Sequence, residues 1–286
     1  MAELPQLLVY GVVLGGIISL GAVGVSLIFG ILRFAHFAHG DMMTLGAYFA
    51  LMFYGALSLP MPLAFVLAMV LTALLAVILD RLIYKRLRRG QPVVLLIASV
   101  GVALMVRSAI QVFWGPDVQN YGSGIQMPWV VAGLRIKPDQ VQILVGVALL
   151  VTALHLYLQK TRMGKAMRAT ADNMDLARLS GIDTERVVLW TWVLGAGLAA
   201  AAGIFLAMDT RLHPVMGWRL LLPVFAAAIL GGIGRPYGAI AGGMVIGIAQ
   251  ELSTLVVSPA YKPAVAFAIM VVMLIVRPTG LFGGRQ

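Results

Sequence analysis

Several residue types are scarce in this sequence, and each scarcity excludes a class of protein. The 286 residues include no cysteine, so disulfide frameworks and thiolate metal sites are excluded. Charged residues make up only 11% of the chain against 61% hydrophobic residues, which leaves no polar stretch long enough for a soluble domain. The mean hydropathy is +0.97. Together these values predict an integral membrane protein.

The apolar runs set the expected fold class. A transmembrane helix needs about 20 mostly apolar residues to cross about 30 Å of hydrocarbon. The chain has room for about eight or nine such helices and little else. We therefore predict an all-α, polytopic membrane protein built as a single transmembrane domain over residues 1–286. The count stays open between eight and nine because only a short polar break separates the first two apolar runs.

Acidic residues are also few, 11 against 21 lysines and arginines, which gives a net charge of +10. Such an excess can indicate nucleic-acid binding, but here the basic residues flank apolar runs. If residues 81–92 and 160–186 are cytoplasmic, 15 of the 21 basic residues lie on that side and five on the other. The positive-inside rule accounts for this asymmetry, so we expect a bilayer and no nucleic acid as partner. Nine crossings would place the N-terminus outside and the C-terminus inside.

The longest polar stretch, residues 160–186, holds six basic and four acidic residues. Its pattern predicts two short helices. The first covers residues 164–171, and the second is capped by Asp172 or Asn173 and ends at Gly181, a natural left-handed C-terminal cap. One face of the first helix carries Met163, Ala166, Met167 and Thr170. Methionines adapt well to protein surfaces, which favours docking onto a soluble partner; the alternative is a solvated loop that only fixes topology.

The polar break at residues 33–41 contains His36, His39 and Asp41, which suggests a metal site. Gly40 interrupts the helical spacing and no further ligand is near in sequence, so we do not favour a metal. Two interpretations carry about equal weight. The break is either a discontinuous helix near a translocation path, or a short cytoplasmic turn with interfacial histidines.

Two charged residues fall inside predicted membrane spans. Arg107 would cost about 2.5–3.5 kcal/mol at the bilayer centre by insertion scales, which favours a paired, structural position over one lining the path. Glu251 poses the same question in a later span. An Arg107–Glu251 ion pair is our hypothesis for both. The chain contains no G-x-x-x-x-G-K-[S/T] phosphate loop and no recognisable catalytic constellation, so we expect no enzyme.

Several motifs resemble those of one transporter family. The run from Asp175 to Gly181 (Asp-Leu-Ala-Arg-Leu-Ser-Gly) resembles the EAA-type coupling motif of ABC importer permeases. The wider chain is similar, in the same order, to branched-chain amino-acid permeases of the LivH type. The matching segments are Gly164-Lys-Ala-Met-Arg168-Ala, Phe37-Ala-His39-Gly40, Leu45-Gly-Ala-Tyr48, Trp114-Gly-Pro-Asp117, Pro214-Val-Met-Gly217, Phe225-Ala-Ala-Ala-Ile-Leu-Gly231-Gly-Ile-Gly234 and Val276-Arg-Pro-Thr-Gly280-Leu-Phe-Gly283.

The resemblance implies partners and a location. The chain would be a permease subunit in a bacterial inner membrane, paired with a homologous second permease subunit, two ATP-binding cassette subunits and an external solute-binding protein. ATP and magnesium would bind the cassette subunits, and this chain would hold no cofactor. The external loop 115–140, with residues 209–219, would meet the binding protein.

The resemblance also implies site residues and cargo. Residues 160–186 would couple to the ATPase through Gly164, Arg168, Asp175, Ala177, Arg178 and Gly181. The translocation path or its discontinuous helix would involve His36, His39, Gly40, Arg107 and Glu251. The cargo would be branched-chain or other hydrophobic amino acids. The alternatives are urea, amides or aromatic amino acids, or a secondary transporter driven by an ion gradient.

Overall fold

A computed structural model describes residues 3–88, 90–122, 127–131 and 133–283. Helices dominate it, and most begin at a proline or a side-chain cap and end at a glycine or a polar residue. The helices are α1 Glu3–Leu32, α2 His39–Leu51, α3 Met61–Leu79, α4 Lys85–Leu87, α5 Pro92–Trp114, α6 Pro138–Lys160, α7 Arg162–Asp172, α8 Met174–Leu179, α9 Thr184–Asp209, α10 Met216–Gly231, α11 Pro236–Leu252 and α12 Lys262–Val276. π-helical turns extend α2 over Met52–Ala56 and join α3 to α4 over Asp80–Tyr84. A hairpin pairs β1 Trp129–Val131 with β2 Leu134–Ile136.

Two long helices, α1 and α9, form the centre of the fold. The most apolar stretches of α1 and α9 are 83% and 78% buried, whereas no other long apolar helix exceeds 39%. Small residues let the two backbones approach closely, as is common between helices in lipid. A Cβ added to Gly24 of α1 would lie 2.8 Å from the carbonyl oxygen of Gly195 in α9. The other long helices surround this pair, and the short helices α2 and α10 are themselves mostly buried.

The chain arranges its helices as two similar groups. Each group has a central helix, a shorter helix that follows an irregular segment, and two further helices: α1, α2, α3, α5 and then α9, α10, α11, α12. Helix α1 packs on α11, and α9 packs on α3 in the corresponding way. Because α6 adds one crossing between the groups, the second group enters the membrane from the opposite face. This is the inverted-repeat arrangement common among transporters.

Within the described residues, seven helices are long and apolar enough to cross a membrane. They are α1, the continuous helix of α3 and α4 (Met61–Leu87), α5, α6, α9, α11 and α12. Helix α10 is apolar but shorter, and helix α2 is shorter still, so neither is counted among these seven. The expected all-α polytopic fold is confirmed, and the difficulty in counting spans has a physical cause, since α2 and α10 each begin inside the protein.

The segments predicted to be cytoplasmic lie together at one end of the molecule. There Arg33 donates a hydrogen bond to the carbonyl oxygen of Ala171, and Lys85 pairs with Glu185 at 2.7 Å. At the other end, Gln6 exchanges hydrogen bonds of 2.9 and 2.8 Å with the backbone of Arg135. The segments at each end of the molecule are therefore those that the count of basic residues assigned to one side of the membrane.

The loop predicted at 115–140 is partly ordered by backbone pairing. Besides the β1–β2 hairpin, Gln119 and Leu212 exchange backbone hydrogen bonds of 2.8 and 3.0 Å. This bridge joins the 115–140 loop to the 209–219 loop, the two segments expected to lie outside. Residues 123–126 and 132 of the loop fall outside the described residues.

Candidate functional site

The polar segment 160–186 folds as the predicted pair of short helices. Helix α7 begins where the Thr161 hydroxyl accepts a hydrogen bond from the Gly164 N–H at 2.9 Å. Helix α8 begins where the Asn173 side chain accepts from the Leu176 N–H, also at 2.9 Å. Asn173, one of the two predicted caps, is therefore the residue that separates the helices.

Helix α8 ends at Gly181, as predicted. Gly181 has φ +83°, and its N–H bonds the Arg178 carbonyl at 3.1 Å while the Ile182 N–H bonds the Ala177 carbonyl at 3.0 Å. This paired arrangement is the Schellman motif, which closes a helix with a left-handed glycine. The segment is thus a shaped structure held by three local caps.

The two helices bury different faces. In α7, Met167 is 2% exposed and packs in the core of the chain, with Met163 and Ala166 against it. The prediction that the methionine face docks onto a soluble partner is therefore wrong, because this face binds the chain's own helices. In α8 the exposed apolar side chains are Leu176, 62% exposed, and Leu179, 86% exposed.

The predicted coupling residues divide into positioning and exposed groups. Gly164 lies so close to the Tyr157 and Leu158 carbonyls that a Cβ there would overlap them. Arg168 donates to the Leu158 carbonyl and, at 3.1 Å, to the Gln159 side chain, so it fastens α7 to the end of α6. Ala177 is buried at 3% exposure.

Three other coupling residues are exposed. Asp175 stands in the first turn of α8, where a negative charge favours the helix N-terminus. Arg178 lies in the last turn, with one guanidinium nitrogen 3.5 Å from the Thr184 hydroxyl. Gly181 has open space around its Cα. These residues, with Leu176 and Leu179, form the exposed face of α8.

The break after α1 leads into a discontinuous helix. Helix α1 ends at Leu32, and α2 begins at His39. His39 lies against Gly24 of α1, where an added Cβ would be 2.7 Å from the His39 ring. Gly24 precedes the end of α1 by eight residues, so α2 starts about 12 Å inside that end at 1.5 Å per residue. The discontinuous-helix hypothesis fits this placement.

The histidines of the break lie in the protein interior. His36 is 2% exposed and His39 1% exposed, so the alternative of a turn with interfacial histidines is wrong. His36 Nε2 lies 3.1 Å from the Tyr84 hydroxyl, and its ring packs edge-on against Trp192 with centroids 5.0 Å apart. Among the described residues no group of three or more metal-ligating side chains occurs, here or elsewhere.

Arg107 pairs with Asp41. Its Nε donates to Asp41 Oδ1 at 2.9 Å and its Nη2 to Asp41 Oδ2 at 3.0 Å, so the ion pair is bidentate. Asp41 is fully buried. The guanidinium also lies 4.6 Å from the centre of the Trp218 ring. The hypothesis of an Arg107–Glu251 pair is wrong, because Glu251 instead accepts from Lys262 at 2.6 Å. The expectation that Arg107 has a structural partner in another helix is met by Asp41.

The starts of α2 and α10 meet beside this ion pair. A Cβ on Gly40 would lie 2.6 Å from the Gly217 carbonyl oxygen, so neither position tolerates a side chain. The Gly217 N–H donates to the Thr44 hydroxyl at 3.0 Å, which satisfies an N–H at the start of α10. Two helix N-termini from opposite repeats therefore converge, with Asp41 near both.

Several of these residues were missed by sequence reasoning. Asp41 was noted only as a possible metal ligand, although a carboxylate in the first turn of an apolar helix is itself a signal. Trp218 and Thr44 gave no signal in sequence. Leu176 and Leu179 are two apolar residues in a polar segment, and their spacing of three places them on one helix face.

Interrupted helices that meet inside a bundle of apolar helices are typical of polytopic membrane transport proteins. The profile of the branched-chain amino acid transport system permease component matches residues 7–274. The chain belongs to this permease family and is an inner-membrane protein, as the LivH resemblance indicated.

Two relatives and one solved structure illustrate the match. The chain is 33% identical to the high-affinity branched-chain amino acid transport system permease protein LivH of Escherichia coli K12, covering 96% of this chain and 93% of LivH. It is 30% identical to the corresponding protein BraD of Pseudomonas aeruginosa, covering 97% and 95%. PsaBC from Streptococcus pneumoniae, solved in complex with Fab, has the same fold, with TM-score 0.55 at 15% identity over 97% of this chain and 93% of that one.

Proposed function

We propose that this chain is the translocation subunit of an ABC importer for branched-chain or other hydrophobic amino acids. It would work with a homologous second permease subunit, two ATP-binding cassette subunits and an external solute-binding protein. ATP and magnesium would bind the cassette subunits. The chain itself would catalyse no reaction.

Membership of the permease family supports the transport role, and one structural observation carries the proposed coupling to ATP. The exposed face of α8, with Leu176 62% and Leu179 86% exposed, lies at the end of the molecule where basic loops gather. Two bare leucines on a capped helix form a compact apolar surface that would be costly to leave in water, and a partner that buries it gains about 1.5–3 kcal/mol per leucine.

The proposed cycle uses the way α7 is fastened. Arg168 and Gly164 hold α7 against the end of α6, and the buried Met167 contacts the helical core. A push on α8 by a closing ATPase dimer would therefore reach α6 and the central helices through packed contacts. Interrupted helices such as α2 and α10 give the bundle places where it can rearrange without unfolding.

Reconstitution into proteoliposomes tests the proposal. The vesicles would hold this chain, its partner permease and the cassette subunits, with ATP inside the lumen on the cassette side and loaded binding protein on the other. We expect uptake of radiolabelled leucine that requires both ATP and binding protein. A fall in uptake when either is omitted supports the importer.

Two outcomes would contradict the proposal. Uptake by this chain alone, driven by a proton or sodium gradient, would identify a secondary transporter. Urea or an amide moving in place of leucine, with a binding protein selective for it, would contradict the proposed cargo while keeping the importer. Transport by vesicles without this chain serves as the background control.

A further inference from the structure

A cavity of about 490 Å³ opens between the coupling segment and the helical bundle. Its lining brings together residues from separate parts of the chain: the end of α1, α4, the start of α5, α7, α8 and the start of α9. The polar lining consists of Arg33, Lys85, Arg88, Arg178, Glu185 and Thr170 with Thr184. Four basic side chains face one carboxylate in this lining.

The charges in the cavity are only partly matched. Lys85 pairs with Glu185 at 2.7 Å. Arg88 pairs with the buried Asp80, which is not part of the cavity lining. Neither Arg33 nor Arg178 makes a direct ion pair among the residues that the structure describes, although Arg178 lies near enough to Glu185 for its charge to act on that carboxylate. Arg33 donates to the Ala171 carbonyl, and Arg178 lies 3.5 Å from the Thr184 hydroxyl. Both guanidinium groups keep unused N–H donors.

A buried hydroxyl in the same lining also lacks a partner. Thr170 is 2% exposed, and in the described part of the chain its hydroxyl makes no hydrogen bond. A buried polar atom without a partner costs stability unless a ligand or water satisfies it. Positive-inside topology explains why arginines are cytoplasmic, but it does not require them to converge on a cavity whose wall holds a buried, unsatisfied hydroxyl.

We propose that this cavity binds a phosphate group between Arg33 and Arg178, with the Thr170 hydroxyl as a third donor. Guanidinium forks match phosphate oxygens geometrically, and basic pockets at the cytoplasmic ends of membrane helices bind phosphate-bearing head groups. The phosphate comes either from an anionic phospholipid or from a soluble phosphate. Because Arg178 stands on α8 and Arg33 follows α1, the bound group links the coupling helix to the central helix.

Ligand-dependent stabilisation measures this binding on the full chain in detergent. The probes are inorganic phosphate, short-chain phosphatidylglycerol and short-chain phosphatidylcholine, each titrated while the thermal unfolding midpoint is recorded. We expect phosphatidylglycerol or phosphate to raise the midpoint and the zwitterionic lipid to leave it unchanged. A response to phosphatidylglycerol alone identifies the lipid head group as the source, and an equal response to phosphate identifies the soluble anion.

Three variants locate the site. Arg33→Gln and Arg178→Gln should each weaken binding about tenfold or more, because each removes charged hydrogen bonds. Thr170→Val keeps the side-chain shape and should weaken binding without lowering the midpoint of the free chain. Arg162→Gln removes an exposed arginine of α7 outside the cavity lining and should bind as the unmodified chain does.

The proposal is overturned if no probe raises the midpoint, or if Arg162→Gln weakens binding as much as Arg33→Gln. The first result would favour a carboxylate of a partner protein as the group that enters the cavity. The second would show that the anionic probes are attracted to the basic surface in general. Should Arg178→Gln fold poorly, Arg33→Gln and Thr170→Val still decide the question, since they lie on different elements.

Discussion

Helices α7 and α8 are neighbours in one polar segment and begin with the same kind of side-chain cap, yet they differ in where their apolar side chains lie. Helix α7 buries Met167 and presses Gly164 against α6. Helix α8 buries Ala177 and leaves Leu176 and Leu179 exposed. The difference indicates that the two helices have separate roles. Helix α7 anchors the segment to the bundle, and helix α8 presents an apolar surface. Changes in α7 should therefore act on stability, and changes in α8 on partner binding.

The largest effect is expected where the anchor has no free space. In Gly164→Val the new side chain would overlap the Tyr157 and Leu158 carbonyls, which are backbone atoms and cannot move away cheaply. We expect loss of the folded chain, seen as aggregation on size-exclusion chromatography in detergent. Gly181→Ala is the matched control, because the space there is open and only the left-handed backbone is strained, at about 1–2 kcal/mol. Equal yields of folded protein from the two variants would contradict the proposed difference between α7 and α8.

The buried ion pair outside the segment gives a reference for a purely structural loss. Arg107→Ala leaves the fully buried Asp41 without its partner, which should cost about 3–5 kcal/mol of unfolding free energy. Adding Asp41→Asn removes the orphaned charge and should restore part of the loss. Urea or SDS unfolding of the three proteins checks this. If the double variant is no more stable than Arg107→Ala, the pair does not act as a unit.

Truncating the methionine of α7 should cost about 2–5 kcal/mol, the usual range for a buried Met→Ala change. Met167→Ala opens a cavity at a site that is 2% exposed. The same truncation in α8, Leu176→Ala, should alter stability by less than about 0.5 kcal/mol because the side chain is exposed. Unfolding curves for both variants give the contrast directly. Similar losses in the two would show that α8 is also packed.

A smaller effect is expected at the cap between the helices. Asn173→Ala removes the acceptor of the Leu176 N–H and should cost about 1 kcal/mol, confined to α8. Hydrogen exchange should accelerate over residues 174–179 and stay unchanged over 162–172. Acceleration across both helices would mean that they unfold together and that the division between them is not real.

Sequence patterns predicted the local structure of this segment well, because its determinants are local. A cap side chain, a left-handed glycine and a 3.6-residue period act over a few residues, so Gly181 was placed correctly and the N-cap was narrowed to Asp172 or Asn173. The direction in which a helix faces is not local. The period of α7 showed that Met167 lies on an apolar face, but it could not show whether that face meets the chain itself or a partner.

The pairing of charged residues that are distant in sequence could not be predicted either, because it also depends on how the helices pack. Arg107 needed a carboxylate, and both Asp41, in the polar break, and Glu251, in an apolar span, were available. Only the three-dimensional approach of α5 to α2, and of Lys262 to Glu251, decides between them. The discontinuous helix after α1 could be anticipated, since polar residues and Gly40 interrupt an apolar region. The contact between Gly40 and Gly217 depends on the inverted repeat. Neither the sequence around Gly40 nor the sequence around Gly217 indicates it.

The most direct test of the division between α7 and α8 is capture of the cassette ATPase subunit by this chain in mild detergent. The variant is Leu176→Asp with Leu179→Asp, and Leu57→Asp, an exposed leucine at the opposite end, is the control. We predict that the double variant keeps its unfolding midpoint and loses ATPase capture, while the control keeps both. Full capture of the ATPase by the double variant would contradict the account.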